Sequence, residues 1–464
     1  MTINLEIYTL MSKRKLVKRE NFASKFGIIA AAAGSAVGLG NIWRFPYIAG
    51  ENGGGAYLLI YILFIILIGL PAMLSELVIG RASKSNAVGA FKKLKSGSTW
   101  YLVGVLGIFT GFLIFAFYST VAGWTLHYTY LAIKGTFSGL SAMQLEQLFQ
   151  QFHSSSLLPV FWQIIFLLLT AAIVITGIEK GIERYTKILM PLLFIILIFL
   201  VVRSLTLPGG NKGLEFLFKP DFSKVSANTF LNAMGQAFFS LSLGMGVLIT
   251  YGSYIKKNEN LSEIAGKVVF FDTLVAILAG VAIFPAVFAF ALKPEAGPGL
   301  AFITLPGIFE YMPGGYFFGV FFFLLLLVSA LTSSISLLEV TVAFLTEEFK
   351  ISRKVSTIWS SLLVALLGIL ATLSFGVLSD FHIFKKTIFD FLDNLTANIL
   401  LPVGGFLIVI FVGWFMDYKQ IREELTNQAK YKARLFEVYM FLIRYIVPLA
   451  IFIVFLNSIG VINF

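Results

Sequence analysis

Long apolar segments recur along the whole chain, separated by short polar stretches. Each is about 20 residues or longer, the length that a helix needs to cross roughly 30 Å of hydrocarbon. Unbroken apolar runs at 192–202 and 320–328 lack the alternation of barrel strands, so the segments are predicted to be helices. We number the eleven predicted spans in chain order as spans 1 to 11: 24–50, 55–79, 98–133, 158–178, 186–205, 228–254, 266–292, 315–346, 355–377, 387–415 and 437–461.

Composition agrees with a chain embedded in a membrane. Of its 464 residues, 58% are hydrophobic and only 13% are charged, which is outside the range of soluble globular proteins. The chain has no cysteine, so disulfides and thiolate metal sites are excluded. Residues 1–23 lack the apolar core and cleavage site of a signal peptide and are predicted to remain as a cytoplasmic segment.

Basic residues are concentrated in alternate loops. Because cytoplasmic loops of membrane proteins carry an excess of Lys and Arg, the amino terminus is predicted to be cytoplasmic. An odd number of spans then puts the carboxyl terminus on the outer side of the cell inner membrane. The net charge of +11 is explained by this orientation rather than by nucleic-acid binding. Of the 35 basic residues, 26 lie in the stretches 1–25, 81–95, 179–187, 256–267, 350–354 and 417–444.

Two of the spans carry glycine clusters near their centres. Span 1 contains Gly-Ser-Ala-Val-Gly-Leu-Gly-Asn at 34–41, and span 6 contains Ser-Leu-Ser-Leu-Gly-Met-Gly at 240–246. Such clusters weaken a helix, and a bilayer tolerates them only where they are buried or line a wet cavity. Close packing of helices through small residues is the alternative explanation. The accompanying polar residues and the interval of five spans favour a binding site.

That interval predicts an all-α membrane protein built from two inverted five-helix repeats, broken in spans 1 and 6, plus one extra helix. The first repeat is predicted at 24–205, the second at 228–415 and the peripheral helix at 437–461. Amino ends of half-helices attract a carboxylate, and freed backbone carbonyls coordinate a small cation. A zwitterion together with Na+ fits both kinds of helix end.

The residues around these breaks resemble the signature of neurotransmitter:sodium symporters. The stretch 34–46, which ends in Asn-Ile-Trp-Arg-Phe-Pro, is followed by Glu-Asn-Gly-Gly-Gly at 51–55, and together they are long and specific. The resemblance covers nearly the whole chain and is to bacterial amino-acid transporters with eleven spans. Further matching residues are Glu76, Gly80, Arg81, Tyr118, Trp124, Gly235, Gln236, the stretch 240–244 and the stretch 331–334.

This resemblance implies sodium-coupled secondary active symport of a hydrophobic or aromatic L-amino acid into the cell by alternating access. The implied partners are the amino acid, sodium ions and the bilayer, with the chain as a monomer or weak dimer and no nucleic acid. An enzyme is not expected, because the sequence has no nucleophile and base arrangement and no phosphate loop. Two alternatives stay open: a membrane amino-acid sensor of the same fold that does not transport, and an intramembrane enzyme.

The resemblance also implies two sodium sites built from oxygen ligands, which suit a hard alkali cation. For the Thr332-Ser333-Ser334 stretch, hydrogen bonding between helices is the alternative explanation. The first site would use the Ala36 carbonyl, Asn41, Ser240 and Asp272 beside the substrate carboxylate. The second would use the carbonyls of Gly34, Val37 and Ser329 with the hydroxyls of Thr332 and Ser333.

Asp272 stands where most members of the family have Asn, and Ala276 stands where chloride-dependent members have Ser. The two lie four residues apart, on one helix face. A buried carboxylate beside the first sodium site could supply the negative charge that chloride supplies elsewhere. We therefore expect transport to be independent of chloride.

The substrate pocket implied by the resemblance favours an amino acid that brings its own carboxylate, because Gly38 replaces the aspartate of monoamine carriers. Tyr118 and the amides of Leu39 and Gly40 would hold that carboxylate. An apolar wall would favour Leu, Met, Phe, Tyr or Trp. The implied substrate-binding residues are Ala36, Gly38, Leu39, Gly40, Ile114, Tyr118, Phe239, Ser240, Ser242, Met245, Ser333 and Leu337.

Two ion pairs are implied as gates. Arg44 and Asp393 match the external pair, with Asp390 as a competitor one turn away. Arg19 and Glu347 match the cytoplasmic pair. The alternative is that these are solvated charges near the membrane surface, which contribute little to stability.

Overall fold

The computed structural model describes residues 20–290, 301–427, 430, 435–458 and 460–462, with the side chains of 310 and 311 excepted. Within these residues the named elements are all helices, and pairing of extended backbone is limited to two isolated bridges. The predicted all-α fold class is confirmed.

Within the part of the chain that the structure describes, eight helices are long and apolar enough to cross a membrane, and each matches a predicted span. They are Gly55–Ser83 (span 2), Tyr101–Ile133 (span 3), Ile178–Leu205 (span 5), Leu261–Ala289 (span 7), Gly315–Glu348 (span 8), Arg353–Leu373 (span 9), Ile388–Phe415 (span 10) and Phe436–Ser458 (span 11). Short π-helical turns lie within these spans at Ile65–Gly69, Ile178–Glu183, Thr396–Leu400, Phe411–Phe415 and Leu442–Ile446.

Of the other three predicted spans, two are interrupted, and the third is a helix joined at a sharp angle to the helix before it. Span 1 consists of Lys25–Ala36 and Gly40–Glu51, bent by 48°, and span 6 consists of two helices, Ala227–Ser240 and Val247–Tyr254. Span 4 is Leu158–Val174, joined at 73° to another helix, Ala142–Ser154. All eleven predicted spans thus coincide with helices. The repeat boundaries at 24–205 and 228–415 stay a prediction.

Short helices also form in the connections, where the sequence predicted only loops. They are Ala87–Leu94, Asn211–Phe218, Phe222–Lys224, Thr304–Tyr311 and Tyr418–Thr426. Span 4 ends before the predicted residue 178, because Gly177 adopts a φ of +102° that a right-handed helix cannot continue.

Spans 3 and 8 form the centre of the bundle. In each, 72% of the most apolar stretch is buried, against 33% for spans 5 and 11, which therefore face lipid. Buried hydrogen bonds join spans 3, 4 and 9. The Gln163 amide donates to the Ser119 hydroxyl at 2.7 Å and accepts from the Thr372 hydroxyl at 2.8 Å.

Span 1 is interrupted between Ala36 and Gly40. The first helix ends where Val37 takes an extended conformation, with a ψ of 97°. Helical structure resumes as a π-helical turn at Gly40–Arg44 and continues as an α-helix with Pro46 in its first turn. Proline is tolerated there because the first N–H groups of a helix have no partner within the helix.

Span 6 is interrupted at residues 241–246. Ser242, Gly244 and Gly246 all have left-handed backbones, with φ of +55°, +77° and +73°. Glycine adopts this conformation freely, whereas for Ser242 it is strained. The break also lies against span 10, because a Cβ on Gly244 would be 2.7 Å from the carbonyl oxygen of Leu401. The predicted interruptions in spans 1 and 6 are therefore confirmed.

Candidate functional site

A narrow cavity of about 30 Å³ lies where the two breaks face spans 3 and 8. The predicted substrate residues line it, with the exception of Leu39, and Ser35 joins them although the sequence did not single it out. The lining residues are Ser35, Ala36, Gly38, Gly40, Ile114, Tyr118, Phe239, Ser240, Ser242, Met245, Ser333 and Leu337.

Tyr118 connects span 3 to the break in span 1. Its hydroxyl accepts a hydrogen bond of 3.2 Å from the backbone N–H of Leu39. Beside it, a Cβ added to Gly38 would lie 2.4 Å from the Ser333 hydroxyl oxygen and 3.2 Å from the Tyr118 hydroxyl oxygen. The absence of a side chain at Gly38 thus keeps this end of the cavity open.

One side of the cavity carries a hydroxyl cluster, of which only Ser242 was among the predicted substrate residues. The Ser35 side chain lies 2.8 Å from the Ser336 hydroxyl and donates to the Ser242 hydroxyl at 3.3 Å. Ser242 in turn donates to the Ser35 carbonyl at 3.0 Å. The cavity thus has a polar side, formed by these hydroxyls, beside the predicted apolar wall. The only signal in the sequence was the position of Ser35 within the first glycine cluster.

The predicted first sodium site forms a buried polar cluster between spans 1, 2, 6 and 7. The Asp272 carboxylate accepts hydrogen bonds from Asn41 at 2.8 Å and from Ser240 at 2.7 Å. Tyr61 donates to the same carboxylate at 3.3 Å and to Ser240 at 3.2 Å. Among the described residues, no basic side chain forms an ion pair with Asp272, although it is fully buried.

Within this cluster the Asn41 amide has a specific orientation. Its oxygen accepts from the Gly38 backbone N–H at 3.1 Å, while its nitrogen donates to Asp272 and to Ser240. The amide oxygen therefore points away from the other oxygens. For Asn41 to act as an ion ligand, the side chain has to turn its oxygen toward Asp272.

The predicted second sodium site brings spans 1 and 8 together. The Thr332 hydroxyl lies 3.4 Å from the Val37 carbonyl oxygen and 3.0 Å from that of Ser329. The Ser333 hydroxyl lies 3.4 Å from the Gly34 carbonyl oxygen. All five predicted oxygen donors therefore lie in one buried group where the first helix of span 1 ends.

A second cavity, of about 240 Å³, contains both residues of the predicted external gate, Arg44 and Asp393. They do not form a direct ion pair. Instead the Arg44 guanidinium lies 4.8 Å from the centre of the Phe239 ring and donates weakly to Gln236 at 3.5 Å. We call this the outer cavity; its lining residues include Leu39, Trp43, Arg44, Tyr47, Phe117, Tyr118, Trp124, Phe239, Phe375, Asp390 and Asp393.

The predicted cytoplasmic gate is described only in part, because Arg19 lies outside the described residues. Its partner Glu347 accepts hydrogen bonds from the backbone and side chain of Asn86, at 2.8 and 3.1 Å. The pairing of Arg19 with Glu347 stays a prediction.

Two buried glutamates support the helices around the cavity. Glu76 accepts a hydrogen bond of 2.7 Å from the Gly244 N–H in the break of span 6. Glu339 accepts from the Tyr254 hydroxyl at 2.7 Å and pairs with Arg353 at 2.5 Å. These contacts tie span 2 to the break in span 6, and span 8 to spans 6 and 9.

Comparisons with known proteins identify the family of this chain. A family model described as the sodium:neurotransmitter symporter family matches residues 19–142 and 141–463. The chain is 43% identical over 454 residues to the uncharacterized sodium-dependent transporter YhdH of Bacillus subtilis, covering 98% of this chain and 100% of the relative. It is 39% identical over 452 residues to an uncharacterized sodium-dependent transporter of Haemophilus influenzae, covering 95% of this chain and 98% of the relative.

A solved structure gives the same result for the fold. The crystal structure of MhsT in complex with L-phenylalanine has a TM-score of 0.88 and 47% sequence identity, covering 95% of this chain and 100% of the MhsT chain. The chain therefore belongs to the sodium:neurotransmitter symporter family and is a multi-pass, sodium-coupled membrane transporter.

Proposed function

We propose that this transporter carries a hydrophobic or aromatic L-amino acid into the cell together with Na+. The observation that carries the proposal is the cavity at the meeting point of two broken helices, with the buried Asp272 carboxylate on one side. A buried carboxylate without a basic partner is costly unless its charge is neutralised, and a bound Na+ would neutralise it. The fold shared with MhsT, which was crystallised with L-phenylalanine, supports the substrate class.

In this proposal the substrate carboxylate binds near Tyr118 and the freed amides of Leu39 and Gly40. The amine lies near the carbonyls of Ala36 and Phe239 and the Ser242 hydroxyl. The substrate side chain then occupies the apolar part of the cavity, where unpaired polar groups are unfavourable. That part is formed by Ile114, Phe239, Met245 and Leu337.

We infer two sodium ions, one at each oxygen cluster. The first is bound by Ala36, Asn41, Ser240 and Asp272, and the substrate carboxylate completes its ligands. The second is bound by the Thr332 and Ser333 hydroxyls with the carbonyls of Gly34, Val37 and Ser329. Both clusters lie at the end of a helix segment of span 1, so ion binding and helix position are coupled.

We further propose that transport does not require chloride. Asp272 supplies a fixed negative charge beside the first ion, within the group formed by Tyr61, Asn41 and Ser240. An anion in the same place would be repelled by that carboxylate.

The proposed orientation in the cell membrane has a cytoplasmic amino terminus and an extracytoplasmic carboxyl terminus, as the basic loops predict. The protein acts as a monomer or weak dimer. A sensor that binds the amino acid without moving it is the second candidate function, and it makes the same contacts in the cavity.

The test is uptake of labelled L-phenylalanine by proteoliposomes with and without an inward Na+ gradient. We expect accumulation only with the gradient, inhibited by unlabelled Leu, Met or Trp and not by Asp or Lys. A sensor would bind Na+ and amino acid without accumulation. Uptake that ignores Na+, or accumulation of charged amino acids only, would overturn the proposal.

A further inference from the structure

Spans 10 and 11 each contain a π-helical turn, and the two turns lie against each other. The turns are Phe411–Phe415 and Leu442–Ile446. A π-helical turn widens the helix and redirects backbone carbonyls away from the regular hydrogen-bond pattern. Turns of this kind are frequent at functional sites.

The two turns exchange hydrogen bonds through their side chains. Arg444 Nε donates to the Gly413 carbonyl oxygen at 2.7 Å, and Trp414 Nε1 donates to the Arg444 carbonyl oxygen at 3.2 Å. The guanidinium also lies 6.0 Å from the centre of the Trp414 ring. These contacts fix the guanidinium through Nε, while its two terminal NH2 groups donate to no atom of the described residues.

The guanidinium lies beside the end of span 10, and we therefore place it at the edge of the membrane. Span 10 ends at Phe415, one residue after Trp414. The chain then enters the polar helix Tyr418–Thr426, whose first amides are capped by Asp417. Trp and Tyr side chains mark the headgroup level of a bilayer. Arg444 therefore presents its free NH2 groups where lipid phosphates lie.

The surroundings of Arg444 face lipid rather than protein. Trp414 is 55% exposed and Tyr445 is 51% exposed, and their rings meet edge to face at 5.8 Å. The carboxylate of Glu437 is hydrogen-bonded by the Tyr418 hydroxyl and does not form an ion pair with Arg444 within the part of the chain that the structure describes. The charge of Arg444 is thus available to an anion.

We propose that Arg444 and Trp414, at the paired π-helical turns of spans 10 and 11, bind the phosphate of an anionic phospholipid. The planar guanidinium offers two parallel N–H groups that match phosphate oxygens, and the exposed aromatic rings pack against the glycerol and upper acyl chains. An anionic lipid fits better than a zwitterionic one, because the adjoining stretch 417–444 is rich in Lys and Arg. This site is separate from the substrate cavity.

The test is native mass spectrometry of the full chain in detergent, titrated with dioleoyl phosphatidylglycerol. We expect one tightly bound lipid, and Arg444→Gln should weaken its binding about tenfold or more, since two charge-assisted hydrogen bonds are lost. Arg444→Lys should also weaken lipid binding. Lysine keeps the positive charge but lacks the two parallel N–H groups of the guanidinium. Arg422→Gln, which removes an exposed charge from the neighbouring helix, should change binding less than about twofold.

Three results would overturn the proposal: binding by Arg444→Gln as tight as by the native chain, equal affinity for phosphatidylcholine, or displacement of the lipid by millimolar inorganic phosphate. A second measurement covers the case in which Arg444→Gln fails to fold. Brominated phosphatidylglycerol should quench part of the tryptophan fluorescence of the native chain, and this part should be missing in Trp414→Phe. Equal quenching in both proteins would also contradict the site.

Discussion

Individual residues at the breaks of spans 1 and 6 carry most of the proposed chemistry. At these positions, adding or removing one small group changes the volume of the cavity, its ion ligands or its charge. Gly38, Asp272 and Thr332 are the three whose surroundings allow the sharpest tests.

Gly38→Ala should raise the KM for amino-acid uptake about tenfold or more, because the added methyl group displaces a hydroxyl that lines the pocket. The new Cβ would lie 2.4 Å from the Ser333 hydroxyl oxygen, so that hydroxyl has to leave the carbonyls of Gly34 and Ser35. Gly235→Ala is the matched control, since a Cβ there meets no atom within 4 Å. An unchanged KM in Gly38→Ala would contradict the assigned pocket.

Asp272→Asn should make transport depend on chloride. The carboxylate supplies the negative charge beside the first ion in our proposal, and an amide does not. Uptake by the native carrier should be equal in chloride and gluconate, whereas the variant should lose about tenfold or more of its activity in gluconate and regain part of it in chloride. If uptake by the native carrier collapses in gluconate, this proposal is wrong.

Thr332→Val should raise the Na+ concentration needed for half-maximal uptake about tenfold, because one oxygen ligand is lost while the shape is nearly kept. Thr332 bonds the carbonyls of Val37 and Ser329. Ser334→Ala is the control, since the buried Ser334 hydroxyl has no hydrogen-bond partner among the described residues. Equal Na+ dependence in both variants would argue that Thr332 only joins helices.

At the scale of the helix, the break in span 6 depends on backbone that most residues do not adopt. Gly244 has a φ of +77°, and its N–H is held by Glu76. Its close approach to the Leu401 carbonyl connects the break to span 10. The interruption is therefore supported from two sides and is not a loose segment.

Gly244→Ala should destabilise the protein by about 1–3 kcal/mol, from the left-handed backbone and the close contact together. Thermal unfolding of the purified carrier measures this loss. Gly266→Ala, in the regular helix of span 7 with no atom within 4 Å of the new Cβ, should be neutral or slightly stabilising. Equal melting temperatures for the two variants would show that the break tolerates a side chain.

At the scale of the whole molecule, Arg44 and Asp393 lie apart across the outer cavity, and their separation bears on access to the substrate site from this cavity. The two side chains share the cavity without a direct ion pair. Alternating access requires this cavity to narrow when substrate and Na+ are bound. The chain has no native cysteine, so a single introduced cysteine reports on that change without labelling at other positions.

Phe375→Cys, in the lining of the outer cavity, should react more slowly with a membrane-impermeant thiol reagent when Na+ and L-phenylalanine are both present than in Na+ alone. The reason is that closure of the cavity removes the thiol from water. Met143→Cys, at an exposed position on the helix Ala142–Ser154, should react at the same rate in both conditions. Unchanged labelling of Phe375→Cys would contradict closure of this cavity.

The sequence by itself determined the spans, their two interruptions and nearly all the residues of the cavity. The spans and interruptions follow from local properties, since the length of an apolar run and the presence of a glycine cluster act on the chain where they occur. The cavity residues were implied by the resemblance to a known family. The family signature in span 1 then assigned residues such as Tyr118 and Thr332 to the same site, and the structure brings both to the break.

Only the tertiary structure decided how side chains from distant spans meet. The hydrogen bonding of Ser35 to Ser242 and its contact with Ser336 could not be predicted from the sequence. Neither could the turn of the Asn41 amide oxygen toward Gly38 or the separation of Arg44 from Asp393. Each depends on the rotation and spacing of helices far apart in the chain. A shift of an ångström or two there makes or breaks a hydrogen bond without changing the pattern of apolar and polar residues.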